Sequence, residues 1–291
     1  MSLRGVSDFF RLVRFSHTLF ALPWAGVGVL LALPVDLEAR LLPLVVLCMV
    51  FARTAAMCFN RLVDRKIDAT NPRTAGRESV TGRISPVTMG VGVVLCSTGF
   101  IAASFAINPS CGWLSPVALA VVLGYSLTKR VTRCCHWVLG AGLGLAPVGS
   151  FLALRGSFDA GTATVVLVGL AVMFWTAGFD ILYALADMAH DRAEKLHSIP
   201  AHHGVQGAMR IARWNHAFMV LSLVAAAWIG ALGAAFWIGV ALATILLVHE
   251  HRLLRGGDLS RLNTAFFKVN VALGFLMFAA TGLERWITWP A

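Results

Sequence analysis

The sequence predicts an all-α membrane protein, a bundle of about nine transmembrane helices in a single domain covering residues 1–291. Three observations predict this fold class. Hydrophobic residues make up 58% of the chain and charged residues only 13%, which is more apolar surface than a soluble domain can bury. The apolar residues fall in runs long enough to span a bilayer. Lys and Arg are concentrated on one side of those runs.

Nine apolar runs are each long enough, as helices, to cross about 30 Å of hydrocarbon. A helix satisfies its own backbone hydrogen bonds in lipid, so a helical bundle is the architecture that such runs permit. Only Gly233 and its small neighbours separate the seventh run from the eighth, and Gly140 and Gly144 form a small-xxx-small pattern that predicts close helix packing. The runs cover residues 16–33, 41–59, 86–107, 112–128, 136–154, 162–184, 214–232, 235–250 and 268–287.

The net charge of +10 indicates membrane topology and not nucleic-acid binding, because the Lys and Arg residues are clustered along the chain. One cluster is the N-terminal segment, and the others lie in the loops after the second, fourth, sixth and eighth runs. These loops are residues 60–85, 129–135, 185–213 and 251–267. The positive-inside rule predicts that the N-terminus and all four loops are cytoplasmic. The first run is predicted to be a retained span, since no convincing cleavage site follows it.

A dense polar segment interrupts the apolar pattern at residues 60–83. Asn60, Asp64 and Asp68 are spaced four residues apart and so share one face of a helix. The basic residues around them are Arg61, Arg65, Lys66, Arg73, Arg77 and Arg83. Carboxylates bind Mg²⁺ and basic side chains bind phosphate oxygens, so the segment suits a divalent cation carrying a polyphosphate. The alternative is a charged loop that only marks the cytoplasmic side.

A second polar segment, after the sixth run, repeats this pattern. Asp187 and Asp191 are four residues apart, and Asp180 lies seven residues before Asp187 on the same helix face. Four crossings separate the two segments, which places them on one side of the membrane and predicts two related halves, about 1–135 and 136–291. Two sets of carboxylates there would repel each other unless a cation lies between them. We therefore favour a Mg²⁺–diphosphate site over a passive charged rim.

Further polar residues near these segments have two interpretations each. Arg53 and Asp180 are ionisable residues within the membrane, where a charge is normally paired or lines a cavity. They predict either a structural Arg53–Asp180 pair or a polar floor of a substrate cavity. Tyr125 and Lys129, followed by Arg130, are either interfacial anchors or ligands of the diphosphate. The neighbouring carboxylates favour the second interpretation.

The histidines and cysteines do not predict another metal site. Five histidines follow the sixth run at spacings that match no compact zinc motif: His190, His197, His202, His203 and His216. The six cysteines include no C-x-x-C pair, so neither a disulfide nor a zinc framework is predicted.

Together these residues resemble the UbiA superfamily of intramembrane prenyltransferases. The match is ordered along nearly the whole chain and uses three separate loops. It comprises Asn60-x-x-x-Asp64-x-x-x-Asp68 with Asn71-Pro72-Arg73-Thr74-x-x-Arg77, then Tyr125-x-x-x-Lys129-Arg130, then Asp187-x-x-x-Asp191 with Ser198 beyond. Residues 14–23 and 196–200 resemble the bacterial branch that is 4-hydroxybenzoate polyprenyltransferase-like.

The resemblance implies a nine-helix bundle with a central cavity, open sideways to lipid, in a bacterial-type inner membrane. It also implies two Mg²⁺ ions held on a diphosphate by the aspartate motifs. The implied metal and diphosphate ligands are Asn60, Asp64, Asp68, Asp187 and Asp191. Candidates to neutralise phosphate are Arg65, Lys66, Arg73, Arg77, Lys129, Arg130, Arg192 and Lys195, with Arg53, Tyr125, Asp180 and Ser198 as further substrate-binding candidates. Lys195 departs from the glycine expected at its position, which puts the backbone of that loop in question.

The implied reaction is Mg²⁺-dependent transfer of a polyprenyl group from polyprenyl diphosphate to a small aromatic acid. Cations stabilise the leaving diphosphate while the allylic C–O bond breaks towards a carbocation, which an electron-rich ring attacks. The favoured acceptor is 4-hydroxybenzoate, in ubiquinone or menaquinone biosynthesis.

Other substrates and one other class of function stay open. A dihydroxynaphthoate of menaquinone synthesis or haem is an alternative acceptor, although Arg53 or Arg14 would meet a carboxylate and so favour an aromatic acid over haem. A transporter of a phosphorylated solute would also have repeated halves and charges near the membrane midplane. It would need access from both faces, yet the outer loops are short and lack polar motifs.

Overall fold

The computed structural model describes residues 12, 18–35, 38–254, 261–262 and 264–288, and within these ranges the chain is helical with no β-strand. Nine long helices follow one another in this part of the chain and are numbered α1 to α9. They are α1 (Thr18–Ala32), α2 (Leu41–Val63), α3 (Pro86–Ile107), α4 (Pro109–Thr128), α5 (Cys135–Arg155), α6 (Thr162–Tyr183), α7 (Ile199–Ile229), α8 (Ala234–Leu253) and α9 (Asn270–Ile287). Short helices at Arg65–Thr70 and Met188–Ala193 lie in the loops after α2 and α6.

The helices confirm the predicted all-α membrane bundle. Seven of the described helical segments are long and apolar enough to cross a membrane, and a shorter apolar helix lies at residues 20–32. The boundaries agree with the predicted runs to within a few residues, except at α7. The central cavity and the division into two related halves stay predictions.

The predicted start of the seventh helix, residue 214, was wrong because α7 begins at Ile199. Ser198 caps this helix by accepting a hydrogen bond from the backbone N–H of Ala201, and Pro200 lies in the first turn. Hydropathy could not reveal this start, since residues 199–213 include His, Gln and Arg. Gly204 interrupts the helix with a φ of 64°, a conformation that glycine adopts without strain.

The boundary between α7 and α8 is confirmed at the turn before Ala234. Glu284, a buried residue of α9, accepts hydrogen bonds from the backbone N–H of Gly233 at 2.9 Å and of Ala235 at 3.2 Å. The first turn of a helix leaves such N–H groups without partners inside the helix, and a carboxylate also complements the helix dipole. A distant charged residue therefore stabilises a turn that the sequence marks only by small residues.

Each long helix from α2 to α9 packs against the next one along the chain, and α1 packs mainly against α5 and α9. The approach of α5 to α6 depends on glycine. A Cβ at Gly140 would lie 2.3 Å from the carbonyl oxygen of Met173, and one at Gly144 would lie 2.5 Å from that of Gly169. The small-xxx-small pattern therefore forms a tight helix contact, as predicted.

The largest group of buried apolar side chains surrounds α6. The rings of Trp175 and Phe179 on α6 lie 4.9 Å apart, and Trp24 of α1 lies 5.6 Å from Trp175. Aromatic contacts of this kind add to the free energy gained by burying the rings. They fix α6 within the bundle, so the position of the loop that follows it is also fixed. We call the end of the bundle where α2, α4 and α6 terminate the aspartate end.

Candidate active site

Three loops meet at the aspartate end, and each carries residues that the sequence singled out. The first loop follows α2 and contains the short helix Arg65–Thr70. The second follows α4, and the third follows α6 and contains the short helix Met188–Ala193. Side chains of the first loop bond to the third, and side chains of the second bond to both others.

Asp64 ends α2 and pairs with the second loop. Its Oδ1 accepts a hydrogen bond from Arg130 Nη2 at 2.7 Å, and its Oδ2 accepts one from Asn60 Nδ2 at 2.8 Å. Arg130 also donates to the carbonyl oxygen of Val63 at 2.6 Å. Burial raises the pKa of the Asp64 carboxyl, and Arg130 acts in the opposite direction. These bonds join the end of α2 to the second loop.

Asp68 lies one turn further on and is buried. Both of its carboxylate oxygens accept hydrogen bonds from Arg77 Nη1, at 2.6 and 2.7 Å. Arg61 Nη1 lies 3.8 Å from Asp68 Oδ2, and the hydroxyl of Thr74 donates to the Asp68 carbonyl at 2.9 Å. These contacts fold the first loop back onto its own helix.

Asp187 joins the third loop to the first. Its Oδ1 accepts hydrogen bonds from Asn71 Nδ2 at 2.9 Å and from Arg73 Nε at 2.8 Å, and Arg73 Nη2 donates to its Oδ2. The Arg73 guanidinium lies over the ring of Tyr183, 5.2 Å from its centre, and donates to the Tyr183 hydroxyl at 3.1 Å. Burial lowers the pKa of Arg73, but the bonds to Asp187 outweigh that effect, so the pKa is raised.

Asp191 is fully buried and pairs with the second loop. Lys129 Nζ lies 2.7 Å from Asp191 Oδ1, an ion pair whose angles are not those of a hydrogen bond. The backbone strengthens this junction, since the N–H of Leu196 donates to the Asp191 carbonyl and the N–H of His197 donates to the Lys129 carbonyl, both at 2.8 Å.

The four aspartates are thus each paired with a basic residue of the protein, and three of the four pairs join different loops. The pairs are Asp64–Arg130, Asp68–Arg77, Asp187–Arg73 and Asp191–Lys129. The sequence predicts that the two aspartate motifs repel each other without a bound cation. In the structure, basic side chains of the protein itself neutralise these carboxylates. The sequence pattern does not reveal this pairing.

The donor set of this network fits Mg²⁺, which prefers carboxylate and amide oxygens. Among the described residues, no group of three or more His, Cys, Asp and Glu side chains is gathered closely enough to hold a metal ion. Each aspartate is instead paired with a basic side chain, so the assignment of Asn60 and the aspartates as Mg²⁺ ligands stays a prediction.

Several predicted phosphate ligands have other contacts in this structure. Arg65 Nε donates to the carbonyl of Ser79, and Arg192 Nε donates to that of Ala201, both at 2.9 Å. These bonds brace the first and third loops. Lys66 and Lys195 are exposed, and Lys195 has a φ of 54°, which is the left-handed conformation that favours glycine.

The residues expected within the membrane are placed as follows. Asp180 Oδ2 lies 2.6 Å from His136 Nδ1 on α5, and His136 Nε2 accepts a bond from the N–H of Ile199. His136 thus links Asp180 on α6 to the first residue of α7. Arg53 is half-buried on α2 and Tyr125 half-buried in the last turn of α4. Arg14 lies outside the described residues.

Sequence reasoning missed three residues of the site and its surroundings. Asn71 and Tyr183 both contact Arg73 or its partner Asp187, and His136 contacts Asp180. Tyr183 precedes Asp187 by four residues, so helical spacing offered a signal for it. Asn71 stood within the recognised motif without being assigned a role. No sequence pattern distinguished His136.

Comparison with known proteins identifies relatives of this chain. A model of the UbiA prenyltransferase family matches residues 21–279. The 4-hydroxybenzoate octaprenyltransferase of Yersinia enterocolitica is 32% identical over 264 residues, which cover 90% of this chain and 86% of that protein. The enzyme of the same name from Yersinia pseudotuberculosis is 31% identical over 272 residues, covering 92% and 89%.

Solved structures show the same fold. The apo structure of a UbiA homologue from Aeropyrum pernix K1 is 31% identical with a TM-score of 0.83, covering 92% of this chain and 98% of that one. A UbiA homologue from Archaeoglobus fulgidus bound to GPP and Mg²⁺ is 19% identical with a TM-score of 0.69, covering 94% and 99%, and is similar in fold alone. The family match and these relatives show that the chain belongs to the UbiA prenyltransferase family, as a multi-pass membrane prenyltransferase.

Proposed function

We propose that this prenyltransferase moves a polyprenyl group from polyprenyl diphosphate to 4-hydroxybenzoate, with Mg²⁺, in quinone biosynthesis. The observation that carries the proposal is the network of four aspartates and four basic residues at the aspartate end. The names of the two Yersinia relatives favour 4-hydroxybenzoate over a dihydroxynaphthoate as the acceptor.

The network contains both kinds of group that a metal–diphosphate complex needs. Asp64, Asp68, Asp187 and Asp191 would hold Mg²⁺ with the Asn60 amide oxygen, and bound Mg²⁺ would neutralise charge on the leaving diphosphate. The basic partners released by this exchange would bind phosphate oxygens: Arg73, Arg77, Lys129 and Arg130. Arginine suits this role, because its planar fork donates two parallel hydrogen bonds to phosphate as it does to carboxylate.

The reaction then follows from where the charges are held. The allylic C–O bond breaks and its electron pair leaves with the diphosphate, which the basic residues stabilise as charge develops. A ring carbon of 4-hydroxybenzoate forms the new C–C bond, and the proton on that carbon passes to the released diphosphate, which restores aromaticity. Apolar helices adjoin the site, and they exclude the water that would otherwise capture the cation.

The same geometry supports an orientation in a bacterial-type inner membrane. Basic residues are concentrated in the loops of the aspartate end, so the positive-inside rule favours a cytoplasmic position for this end. Soluble 4-hydroxybenzoate would then reach the site from the cytoplasm, while the polyprenyl tail stays with the apolar helices and lipid.

The test is an assay of membranes that contain the protein, with labelled polyprenyl diphosphate and Mg²⁺. 4-Hydroxybenzoate and dihydroxynaphthoates are offered side by side, and the products are identified by mass spectrometry. We expect prenylated 4-hydroxybenzoate from the wild type and no product from Asp64→Asn or Asp191→Asn. Asp159→Asn is the matched control, because Asp159 pairs with Arg155 outside the network.

Two outcomes would overturn the proposal. Prenylated naphthoate as the sole product would reassign the acceptor. Uptake of a phosphorylated solute into vesicles without covalent product would instead favour a transporter.

A further inference from the structure

A cleft of about 580 Å³ lies between α7 and α8, away from the aspartate network. The two helices are joined by the short turn at residues 230–233 and have few contacts beyond it compared with the other neighbouring helices. Several side chains that line the cleft are exposed, among them Arg213, Ala217, Val248 and Arg252. The cleft therefore opens on the lipid-facing side of the bundle.

Its basic residues lie at the level of a lipid headgroup. Arg213 is sixteen residues before Ile229, the last residue of α7, and Arg252 is eighteen residues after Ala234, the first residue of α8. At a rise of 1.5 Å per residue these separations are about 24 and 27 Å. The hydrocarbon core is about 30 Å thick. Both guanidinium groups are thus placed near the membrane surface on the aspartate side.

The part of the cleft nearer the turn is mostly apolar. Its wall consists mainly of Ala217, Val220, Leu247 and Val248, and the hydroxyl of Thr244 beside them is bonded to the backbone of its own helix. Side chains at this depth face the hydrocarbon layer. The cleft therefore has a cationic end at the surface and an apolar groove leading into the membrane, the same division of polarity as in a phospholipid.

Two separate sets of hydrogen bonds lie at the inner wall of the cleft. His216 Nδ1 of α7 lies 3.0 Å from His251 Nε2 of α8, which joins the two helices. Behind them Glu250 is buried, and its Oε1 accepts a hydrogen bond from Asn270 Nδ2 at 2.8 Å. Asn270 Oδ1 in turn accepts one from Trp175 Nε1 at 2.6 Å. The cleft is therefore a formed site with a fixed back wall.

The charges at the cleft have one sign. Among the described residues that line it, none is Asp or Glu, and the neighbouring Glu250 is bonded to the core. Arg213 uses its Nε–H to bond the carbonyl of Met209 at 3.2 Å, which is one of the five N–H donors of a guanidinium. Of the charged side chains that the structure describes there, an anion at the mouth of the cleft would meet two arginines and no carboxylate.

We propose that this cleft binds one anionic phospholipid, with the phosphate on Arg213 and Arg252 and an acyl chain along the groove. Charge complementarity selects an anionic lipid, because basic residues near the surface attract anionic headgroups. Arginine also binds phosphate through two parallel hydrogen bonds. The site is distinct from the aspartate network, since no residue of that network lines it.

The test is native mass spectrometry of the full chain in detergent, incubated with equal amounts of phosphatidylglycerol and phosphatidylcholine. We expect one phosphatidylglycerol per chain to be retained in preference to phosphatidylcholine. The double variant Arg213→Gln/Arg252→Gln should lower that preference about tenfold, since each basic residue near a membrane surface contributes measurably to anionic lipid binding. The matched control Arg133→Gln/Arg210→Gln removes two exposed arginines outside the cleft and should leave the preference unchanged.

A second variant tests the groove independently of charge. Ala217→Phe fills the apolar wall and should reduce phosphatidylglycerol retention with both arginines present. Unchanged retention in either cleft variant, or equal retention of the two lipids by the wild type, would overturn the proposal. Displacement by inorganic phosphate at a millimolar concentration would assign the cleft to a free anion, and displacement by geranyl diphosphate would assign it to the prenyl donor; either would overturn it as well.

Discussion

At the scale of single residues, Arg73 connects the most varied groups of the site. Its guanidinium bonds both oxygens of Asp187 and the hydroxyl of Tyr183, and it lies over the Tyr183 ring. We expect Arg73→Lys to lower the rate of prenyl transfer by about tenfold to a hundredfold. A lysine keeps the charge but cannot donate two parallel hydrogen bonds as a guanidinium does. The rate would be measured in membranes at saturating Mg²⁺ over a range of prenyl diphosphate concentrations.

The control for that change is Arg83→Lys in the same loop. Arg83 is exposed and bonds the carbonyl of Gly76, so its replacement should leave the rate within about twofold, as exposed charged contacts contribute little. Equal losses of transfer rate in the two variants would mean that the loop needs arginine for folding, and that the paired hydrogen bonds of Arg73 have no particular role.

The backbone at Lys195 gives a prediction about stability. Its φ of 54° costs a side-chain-bearing residue about 1–2 kcal/mol relative to glycine. We expect Lys195→Gly to raise the thermal midpoint in detergent and to leave Mg²⁺-dependent transfer unchanged. A lower rate in this variant would instead place the Lys195 ammonium on the diphosphate.

Glu194→Gly, at the preceding residue, is the matched control for Lys195→Gly. Glu194 is exposed and has a φ of −84°, which any residue adopts. Glycine there gains no relief from strain and loses more conformational entropy on folding. The midpoint should therefore fall slightly or stay unchanged, opposite in sign to the effect at Lys195.

Residue spacing was enough to identify the aspartates but not their partners. Asn60, Asp64 and Asp68 could be assigned to one helix face because a helix repeats every 3.6 residues. Whether Arg73 or Arg77 would reach a given aspartate depends on loop conformation, for which spacing carries no rule. The same limit applies to His136, whose contact with Asp180 joins two helices.

At the scale of helices, the contact between α5 and α6 depends on the absence of side chains. Gly140 faces the backbone of Met173, and an added Cβ would lie 2.3 Å from its carbonyl oxygen. We expect Gly140→Ala to lower the stability by about 1–3 kcal/mol, since neither backbone can move without disturbing the other contacts of its helix. The measurement is thermal unfolding in detergent.

Gly149→Ala on the same helix is the control for Gly140→Ala. It distinguishes an effect of close packing from an effect of helix propensity. A Cβ at Gly149 would meet nothing within 4 Å, and alanine favours a helix over glycine by about 1 kcal/mol. The midpoint should stay unchanged or rise. A loss equal to that of Gly140→Ala would show that glycine is needed throughout α5 for a reason other than close packing.

Helix boundaries were predictable where composition changes sharply and not elsewhere. The runs of α4 and α6 end within a residue of the predicted positions, because polar segments follow them. α7 starts fifteen residues earlier than predicted, since a helix that extends beyond the membrane needs no apolar composition. Its cap at Ser198 and proline at Pro200 were the available signals, but Ser198 had been assigned to substrate binding.

At the scale of the whole molecule, the aspartate end balances its charges internally. Each aspartate of the network has a basic partner in the described structure, so the fold does not need a metal ion to hold the carboxylates together. We therefore expect a chelator such as EDTA to abolish prenyl transfer and to leave the thermal midpoint in detergent unchanged. A midpoint that falls on chelation would show that bound metal carries structural charge compensation.

In the double variant Lys129→Gln/Arg130→Gln, by contrast, the thermal midpoint should depend on bound metal. It removes the cations beside Asp191 and Asp64, and a buried carboxylate without its partner is strongly destabilising. We expect a lower midpoint in EDTA and a partial recovery with Mg²⁺, because a divalent cation replaces the missing charge. Arg133→Gln, an exposed neighbour in the same loop, should show neither effect. A double variant as stable as the wild type in EDTA would mean that the aspartates tolerate each other unpaired, and the internal charge balance would then have no role in holding the three loops together.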